Sequence, residues 1–218
     1  MKTIRSFLAL NIDIDVIRRV AAVQTNVKTA CEEREIAVKW IPPQNIHLTL
    51  RYLGGITEPM VHAIKDNVAP LTRTFPPLEF GISGLGVFPD PESAKVLYAG
   101  IDDASGALKE LGEQLAAIMV KTGFKNEGNA FLPHITLGRI ASASPDAISQ
   151  LLSQQGNLDV GTSAARDILC YRSDLQTKKT DYHLLWRLAL LGKKKQDFIQ
   201  QDAPIENMQG ESTDEEQS

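Results

Sequence analysis

Residues 45–54 read NIHLTLRYLG, and residues 133–139 repeat the centre of this stretch as PHITLGR. In each copy a histidine and a threonine stand two positions apart within an apolar run, a pattern that predicts a largely buried β-strand. Alternate side chains of a strand share one face, so the histidine and the threonine point together, away from the core-facing apolar residues. The repeat therefore predicts two equivalent strands, each presenting one imidazole and one hydroxyl.

The segments around these two motifs alternate between strand and helix patterns. Strands are predicted at residues 3–10, 36–41, 45–53, 78–87, 95–101, 131–140, 165–173 and 182–190, and helices at residues 13–33, 57–73, 104–122 and 145–154. The order strand–helix–strand–strand–helix thus occurs twice in loose form, with short connections. This organisation favours an α+β fold with largely antiparallel sheets, built from two similar halves.

The net charge of −4 is unevenly distributed along the chain. Residues 197–218 contain seven acidic residues and no lysine or arginine, which leaves the rest of the chain with 23 basic and 20 acidic residues. A slightly basic body is compatible with a phosphate-bearing ligand, but it lacks the strong positive charge of a dedicated duplex binder. Because the sequence loses its periodicity near Lys195, we predict one domain over residues 1–192 and a disordered acidic tail over residues 193–218.

The N-terminus and the cysteines indicate the compartment. The first apolar stretch is interrupted by Arg5 and Ser6, and no run approaches the ~20 apolar residues that a membrane helix needs. Cys31 and Cys170 form no spaced framework and stand in apolar surroundings. These features predict a cytoplasmic protein without a signal peptide or membrane span, with two reduced core thiols, and we expect it to be a monomer.

Two histidines, each beside a hydroxyl, suit the hydrolysis of a phosphodiester. One group must take a proton from water and another must give a proton to the departing oxygen, and histidine titrates near neutrality. Thr49 and Thr136 are hydrogen-bond donors for the non-bridging oxygens, whose charge must be stabilised in the transition state. One His-x-Thr-Leu run alone is an ordinary strand pattern. Two copies, at His47 and His134 in similar contexts, indicate a shared site.

Sequence signatures of other hydrolases and ligases are absent. The chain has no HExxH or paired CxxC for a metal, no GxxxxGK[ST] for a nucleoside triphosphate, and no GxSxG for acyl chemistry. We therefore predict an enzyme that uses neither a metal nor another cofactor.

The motifs and their surroundings resemble the 2H phosphoesterases, and within them the RNA 2′,3′-cyclic phosphodiesterases, also called 2′–5′ RNA ligases. The resemblance spans about residues 5–189 and includes RSFLAL at residues 5–10, Lys39-Trp40, and late strands containing Ser173 and Tyr182. It implies a bilobal α+β fold whose two largely antiparallel sheets are related by a pseudo-twofold axis, with outer helices and both motifs facing a central groove. It also implies metal-free hydrolysis of 2′,3′-cyclic phosphate ends to 2′-phosphates, and weak, reversible joining of certain tRNA halves through a 2′–5′ bond.

Four further residues are expected to bind the substrate: Phe7, Arg51, Arg139 and Tyr182. Phe7 is either a core residue or, as the resemblance implies, a base-stacking residue near the groove. Arg51, which stands where many relatives carry a small or apolar residue, shares the face of His47 by strand parity, as a phosphate contact or as a charge at the rim. A regular strand turns Arg139 away from His134, so the strand bulges or Arg139 braces the lobe from behind.

In the expected reaction His134 accepts a proton from the attacking water and His47 donates one to O3′, while Thr49 and Thr136 hold the equatorial oxygens. The expected partner is RNA ending in a 2′,3′-cyclic phosphate, with tRNA fragments among the candidates. Two alternatives stay open: a related activity on another small cyclic phosphate or cyclic nucleotide, and an RNA-binding module with little catalysis. His62, in a predicted helix, and His183, beside Tyr182, carry no assigned role.

Overall fold

The computed structural model describes residues 3–125, 131–175 and 180–193. Within these ranges the chain forms nine strands, four α-helices, and two single-turn 3₁₀ helices at Pro43–Asn45 and Pro91–Ser93. The strands are β1 (Ile4–Leu10), β2 (Ala37–Trp40), β3 (Leu48–Ile56), β4 (Leu78–Phe88), β5 (Val96–Asp102), β6 (His134–Ser142), β7 (Asp159–Ala165), β8 (Asp167–Leu175) and β9 (Thr180–Ala189). The helices are α1 (Ile14–Glu32), α2 (Glu58–Thr74), α3 (Ala107–Lys121) and α4 (Pro145–Gln155).

The strands form one antiparallel hydrogen-bonded sheet with two halves. Its order is β7-β4-β5-β6-β3-β1-β8-β9. Strand β2 pairs with residues 138–142 of β6, on the side of β6 that faces away from β5. Between β6 and β3 the register contains a single residue pair, Leu48 with Ile135, and we call this contact the seam. Outward from the seam the order is β6-β5-β4-β7 on one side and β3-β1-β8-β9 on the other. The predicted α+β fold with largely antiparallel pairing is confirmed, and the two predicted sheets are the two halves of one sheet, joined at the seam.

The helices cover the sheet because each has one apolar face. In α3 the buried residues Leu108, Leu111, Leu115 and Met119 recur at helical spacing. Helix α1 packs against α4, β2 and β7, while α2 packs against α3 and β9. A large core cluster lies beneath both motif strands, and a smaller one joins α1 and α4 to β5 and β6. Each fully buried leucine contributes about 1.5–3 kcal/mol of burial free energy. The outer helices thus hold the two motif strands in a fixed relation.

Several element boundaries differ from the predictions. The strand predicted at residues 45–53 begins at Leu48, because Pro43–Asn45 forms a 3₁₀ turn, and it continues past Gly54 to Ile56. The strand predicted at residues 131–140 begins at His134. Strand β7, Asp159–Ala165, was not predicted, since its small residues and Gly161, at φ 93°, obscure the alternation of apolar and polar positions.

The four predicted helices are confirmed to within three residues at each end. The predicted acidic tail lies outside the described residues except for Lys193, so the division at residue 192 stays a prediction. No helix in the described ranges combines the length and apolar character needed to cross a membrane.

Candidate active site

The two histidines lie at the seam, on strands that are neighbours in the sheet. His47 immediately precedes β3, and His134 is the first residue of β6. A small cavity of about 20 Å³ at the seam is lined by one side chain of each motif, His47 and Thr136, whereas His134 and Thr49 do not line it. Its lining consists of Ile41, Asn45, His47, Tyr52, Thr136, Arg139 and Tyr182. The imidazole of one motif and the hydroxyl of the other therefore face the same small volume.

The same backbone contact orients both imidazoles. His47 Nδ1 lies 2.7 Å from the carbonyl oxygen of Asn45, and His134 Nδ1 lies 2.9 Å from the carbonyl oxygen of Leu132. A carbonyl oxygen only accepts, so Nδ1 carries the hydrogen in both rings and each neutral ring keeps Nε2 as its basic atom. The Nε2 atom of His47 is 3.0 Å from Thr49 Oγ1, which donates to it. In both neutral rings Nε2 is thus the atom that can accept a proton.

Aromatic rings surround each histidine. The Phe7 ring lies 4.8 Å from the His47 ring, and Tyr182 contacts His47 edge-on at 5.3 Å. On the other side of the seam, Phe88 and Tyr98 lie 4.8 Å and 5.4 Å from His134. These contacts fix the plane of each imidazole and remove water from its sides.

Burial disfavours the protonated, positively charged form of both histidines. Desolvation lowers the pKa of His47 to about 4, although its hydrogen bond to Asn45 acts in the opposite direction and the charge of His134 lowers it further. Desolvation also lowers the pKa of His134, against the raising effect of its hydrogen bond to Leu132. Because each charge disfavours the other, the pair holds one added proton more readily than two.

A β-bulge changes which side chains of β3 lie on the same face as His47. In the pairing of β1 with β3, Ala9 stands opposite Thr49 and Leu8 stands opposite Arg51, so Leu50 is an extra, unpaired residue. The residues of β3 after the bulge therefore lie on the opposite face from the one that a regular alternation predicts. Tyr52, opposite Phe7, is on the groove side, whereas Arg51 is on the side of the buried residue Leu8.

The expectation that Arg51 shares the face of His47 is wrong for this reason. Arg51 is 9% exposed, and its guanidinium donates a 2.7 Å hydrogen bond to the carbonyl oxygen of Lys125. It does not line the small cavity.

Strand β6 has the same bulge at the equivalent position. Tyr98 of β5 stands opposite Thr136 and Leu97 stands opposite Gly138, which leaves Leu137 unpaired. The parity change brings Arg139 to the face of His134 and Thr136, and Arg139 lines the small cavity. Of the two arrangements considered for Arg139, the structure contains the bulge. Tyr52 and Arg139 therefore occupy matching places, three positions beyond each threonine.

A larger cavity adjoins the small one and shares five of its lining residues. Its volume is about 660 Å³, within the range of sites for small organic ligands. Its lining also includes Arg5 and Phe7 of β1, Lys39 and Trp40 of β2, and Ser173 of β8. We call this cavity the groove.

The remaining predicted residues are placed as follows. Tyr182 lines both cavities, and burial raises the pKa of its phenol, with Tyr52 raising it and Arg139 lowering it. Phe7 lines the groove but is only 3% exposed, so it packs against His47 and leaves little ring surface for a base. His62 is exposed on α2, and His183 contacts Asp174 at 3.3 Å.

Tyr52 and Asn45 were missed by sequence reasoning. Tyr52 is 59% exposed, yet strand parity without the bulge assigns it to the far face. The role of Asn45 rests on its backbone carbonyl, which carries no sequence signal. No group of three or more His, Cys, Asp or Glu side chains in the described ranges is arranged to hold a metal ion.

Comparison with known families gives two successive matches to one family model, described as LigT like Phosphoesterase. They cover residues 12–98 and 100–179, and each contains one His-x-Thr motif. The chain is 30% identical over 173 residues to the RNA 2′,3′-cyclic phosphodiesterase of Methanothermobacter thermautotrophicus, covering 79% of this chain and 91% of the relative. It is 29% identical over 177 residues to the protein of the same name from Aquifex aeolicus, covering 80% and 91%.

Solved structures show the same fold. The Thermus thermophilus protein TT0787 superposes with a TM-score of 0.70 at 24% identity, over 87% of this chain and 100% of that chain. Escherichia coli LigT complexed with 3′-AMP superposes with a TM-score of 0.66 at 19% identity, over 86% and 98%.

Proposed function

The chain belongs to the LigT-like phosphoesterase family, and on that premise we propose that it hydrolyses the 2′,3′-cyclic phosphate ends of RNA to 2′-phosphomonoesters. The observation that carries the proposal is the small cavity at the seam, where His47 and Thr136 face each other across the two motifs. The relatives named RNA 2′,3′-cyclic phosphodiesterase, which match most of this chain, support the choice of substrate.

In the proposed reaction water attacks phosphorus in line with the P–O3′ bond. Nε2 of His134 takes the proton from water as the new P–O bond forms, and Nε2 of His47 gives its proton to O3′ as the P–O3′ bond breaks. In-line attack needs the acid and the base on opposite sides of the phosphate, and the two halves of the sheet supply one each. The products are a 2′-phosphate and a free 3′-hydroxyl.

The remaining groups stabilise the charge of the phosphate. Thr49 and Thr136 donate hydrogen bonds to the equatorial oxygens, and Arg139 lines the small cavity together with Thr136. Thr49 Oγ1 donates to His47 in the free enzyme. Once His47 is protonated, Nε2 no longer accepts, and the hydroxyl is released to turn toward the phosphate.

Substrate binding supplies the charge state that the acid requires. With a pKa of about 4, His47 is neutral in the free enzyme near neutral pH. The negative charge of a bound phosphodiester raises the pKa of both imidazoles, and repulsion between the rings favours one added proton. The enzyme–substrate complex therefore contains one imidazolium and one neutral imidazole.

A 5′-hydroxyl of a second RNA in place of water joins the two RNAs through a 2′–5′ bond by the same steps. The bond that breaks is again P–O3′, so no nucleoside triphosphate is needed. Because the reverse reaction uses the same groups, this ligation is weak and reversible, and tRNA fragments are candidate substrates.

The proposed setting is a monomer in the cytoplasm. Cys31 and Cys170 are buried free thiols, and burial raises their pKa values to about 11 and about 12, which suits a reducing compartment. Light scattering at several protein concentrations tests the monomer directly.

The deciding experiment offers the enzyme an RNA dinucleotide with a 2′,3′-cyclic phosphate end, in EDTA, and identifies the product by ³¹P NMR. A 2′-phosphate formed at full rate in EDTA is expected, because both proton transfers are assigned to imidazoles. A 3′-phosphate, or activity that returns only with a divalent cation, contradicts the mechanism. Turnover of cyclic mononucleotides without any turnover of RNA ends favours the alternative substrate class.

A further inference from the structure

The groove crosses the seam and carries a cation on each wall. Arg5 belongs to β1, in one half of the sheet, and alternates with the groove residue Phe7. Lys39 belongs to β2, which is attached to the other half through β6. Both side chains are exposed and both line the groove, but neither lines the small cavity at the seam. The groove therefore has positive charge beyond the point where the cyclic phosphate binds.

Lys39 and Arg139 stand directly opposite each other on neighbouring strands. Such partners have Cβ atoms about 4.5–5.5 Å apart, and like charges in this position destabilise the sheet. Within the part of the chain that the structure describes, no ion pair joins Arg5, Lys39 or Arg139 to a carboxylate. An anion bound between Lys39 and Arg139 removes their repulsion. The surface around these two side chains therefore favours the binding of an anion.

One phosphate does not account for all three cations. A mononucleoside 2′,3′-cyclic phosphate has a single anionic group, and Arg139 lines the small cavity beside His47, where the proposed reaction takes place. Tyr52 lines both cavities and is 59% exposed, so the base of the terminal nucleotide can stack on it beside the histidines. The next anion along an RNA strand is the phosphodiester on the 5′ side of that nucleotide.

We propose that Lys39 and Arg5 form a subsite for this internucleotide phosphodiester, so that the enzyme prefers cyclic phosphate ends of oligonucleotides to mononucleoside cyclic phosphates. The subsite rests on the proposed function and adds a length requirement to it. Its contacts are to a phosphate, so the preference is independent of base sequence. Because the cations are exposed, added salt weakens it.

The test is a ratio of two specificity constants. Cytidine 2′,3′-cyclic phosphate is compared with the dinucleotide that carries one further cytidine on its 5′ side, and kcat/KM is measured for each. The wild-type ratio of dinucleotide to mononucleoside is expected to be about five- to tenfold at low salt, as for a few exposed charge pairs. Replacing the internucleotide phosphate by an uncharged methylphosphonate is expected to remove most of this advantage.

Lys39→Gln and Arg5→Gln are each expected to lower the ratio, and together to bring it near one. Lys109→Gln is the matched control, since Lys109 is an exposed lysine of α3 that does not line the groove, and it is expected to keep the wild-type ratio. Melting temperatures verify that the variants fold.

A wild-type ratio near one overturns the subsite, as does a ratio that survives the double substitution or the methylphosphonate linkage. Absence of turnover on both substrates, by contrast, overturns the proposed function itself.

Discussion

The proposed mechanism predicts that the ring of each histidine and the neighbouring hydroxyl contribute differently to turnover. In that mechanism His47→Ala and His134→Ala each delete a proton transfer, so we expect each to lower turnover by the ~10²–10⁴-fold that general acid–base groups typically contribute. Thr49→Val and Thr136→Val keep the side-chain shape and delete one hydrogen-bond donor, so we expect a smaller loss, about 1.5–3 kcal/mol of transition-state stabilisation. Steady-state kcat/KM on an RNA 2′,3′-cyclic phosphate measures all four.

Two further variants serve as checks on this series. The double histidine variant is expected to be scarcely slower than either single one, because half of an acid–base pair is already ineffective. His62→Ala changes an exposed residue of α2 outside both cavities and is expected to keep its activity. Near-normal turnover by a folded His134→Ala variant would falsify the shared site.

The low pKa of His47 also predicts how stability depends on pH. The folded-state pKa is about 4, against 6.5 for an unperturbed histidine, so between these values the unfolded chain binds more protons than the folded chain. Stability therefore falls as pH decreases from 6.5 toward 4. Between pH 7.5 and pH 5 we expect this group to account for a loss on the order of 2 kcal/mol in the free energy of unfolding.

Urea unfolding at the two pH values, for the wild type and for His47→Gln, measures this effect. Glutamine does not titrate, so the variant is expected to lose less stability on acidification than the wild type. An equal loss in both proteins contradicts the shifted pKa.

At the scale of the element, the two bulges determine which side chains reach the groove. A period of two predicts the faces of His47, Thr49, His134 and Thr136, because all four lie before the bulges. The same period assigns Arg51 to the groove and Arg139 away from it, and both assignments are reversed by one extra residue. The unpaired residues are leucines, Leu50 and Leu137, an ordinary strand residue type that gives no sign of a bulge.

The exchange of faces after Leu50 leads to a prediction for two neighbouring residues. Tyr52→Ala is expected to raise KM several-fold with little change in melting temperature, because the ring is exposed in the groove. Arg51→Met is expected to lower stability by about 1–3 kcal/mol, through the lost hydrogen bond to Lys125, and to leave KM nearly unchanged. Kinetics and thermal melting of both variants measure the contrast. A larger rise in KM for Arg51→Met than for Tyr52→Ala would show that the strand is regular.

At the scale of the whole molecule, the repeated motif was sufficient to predict two similar halves, and the four helices followed from long amphipathic stretches. The strand order did not follow from the sequence. Whether β1 pairs with β8 depends on how the apolar faces of distant segments fit together, as in the contact of Leu8 with Cys170. Nor does local patterning show that only one residue pair, Leu48 with Ile135, joins the halves at the seam.

The acidic tail is predicted to contribute neither to folding nor to turnover. Residues 197–218 carry seven acidic residues and no apolar periodicity, so we expect truncation after Lys195 to leave the melting temperature and kcat/KM nearly unchanged. Differential scanning calorimetry and steady-state kinetics on the truncated and full chains provide the comparison. A clear drop in either quantity would show that the tail packs on the body.

The strand order also has a consequence for synthesis on the ribosome. Strand β1 is made first, but one of its two neighbours, β8, is among the last strands to be made. The buried residues of β1, from Phe7 to Leu10, can therefore pair with β3 early, but they cannot pair with β8 until most of the body has been translated. During that time β1 is an apolar strand with an open edge, a feature that invites association with other chains. Newly made chains are therefore expected to need chaperones until β8 has been made and has paired with β1.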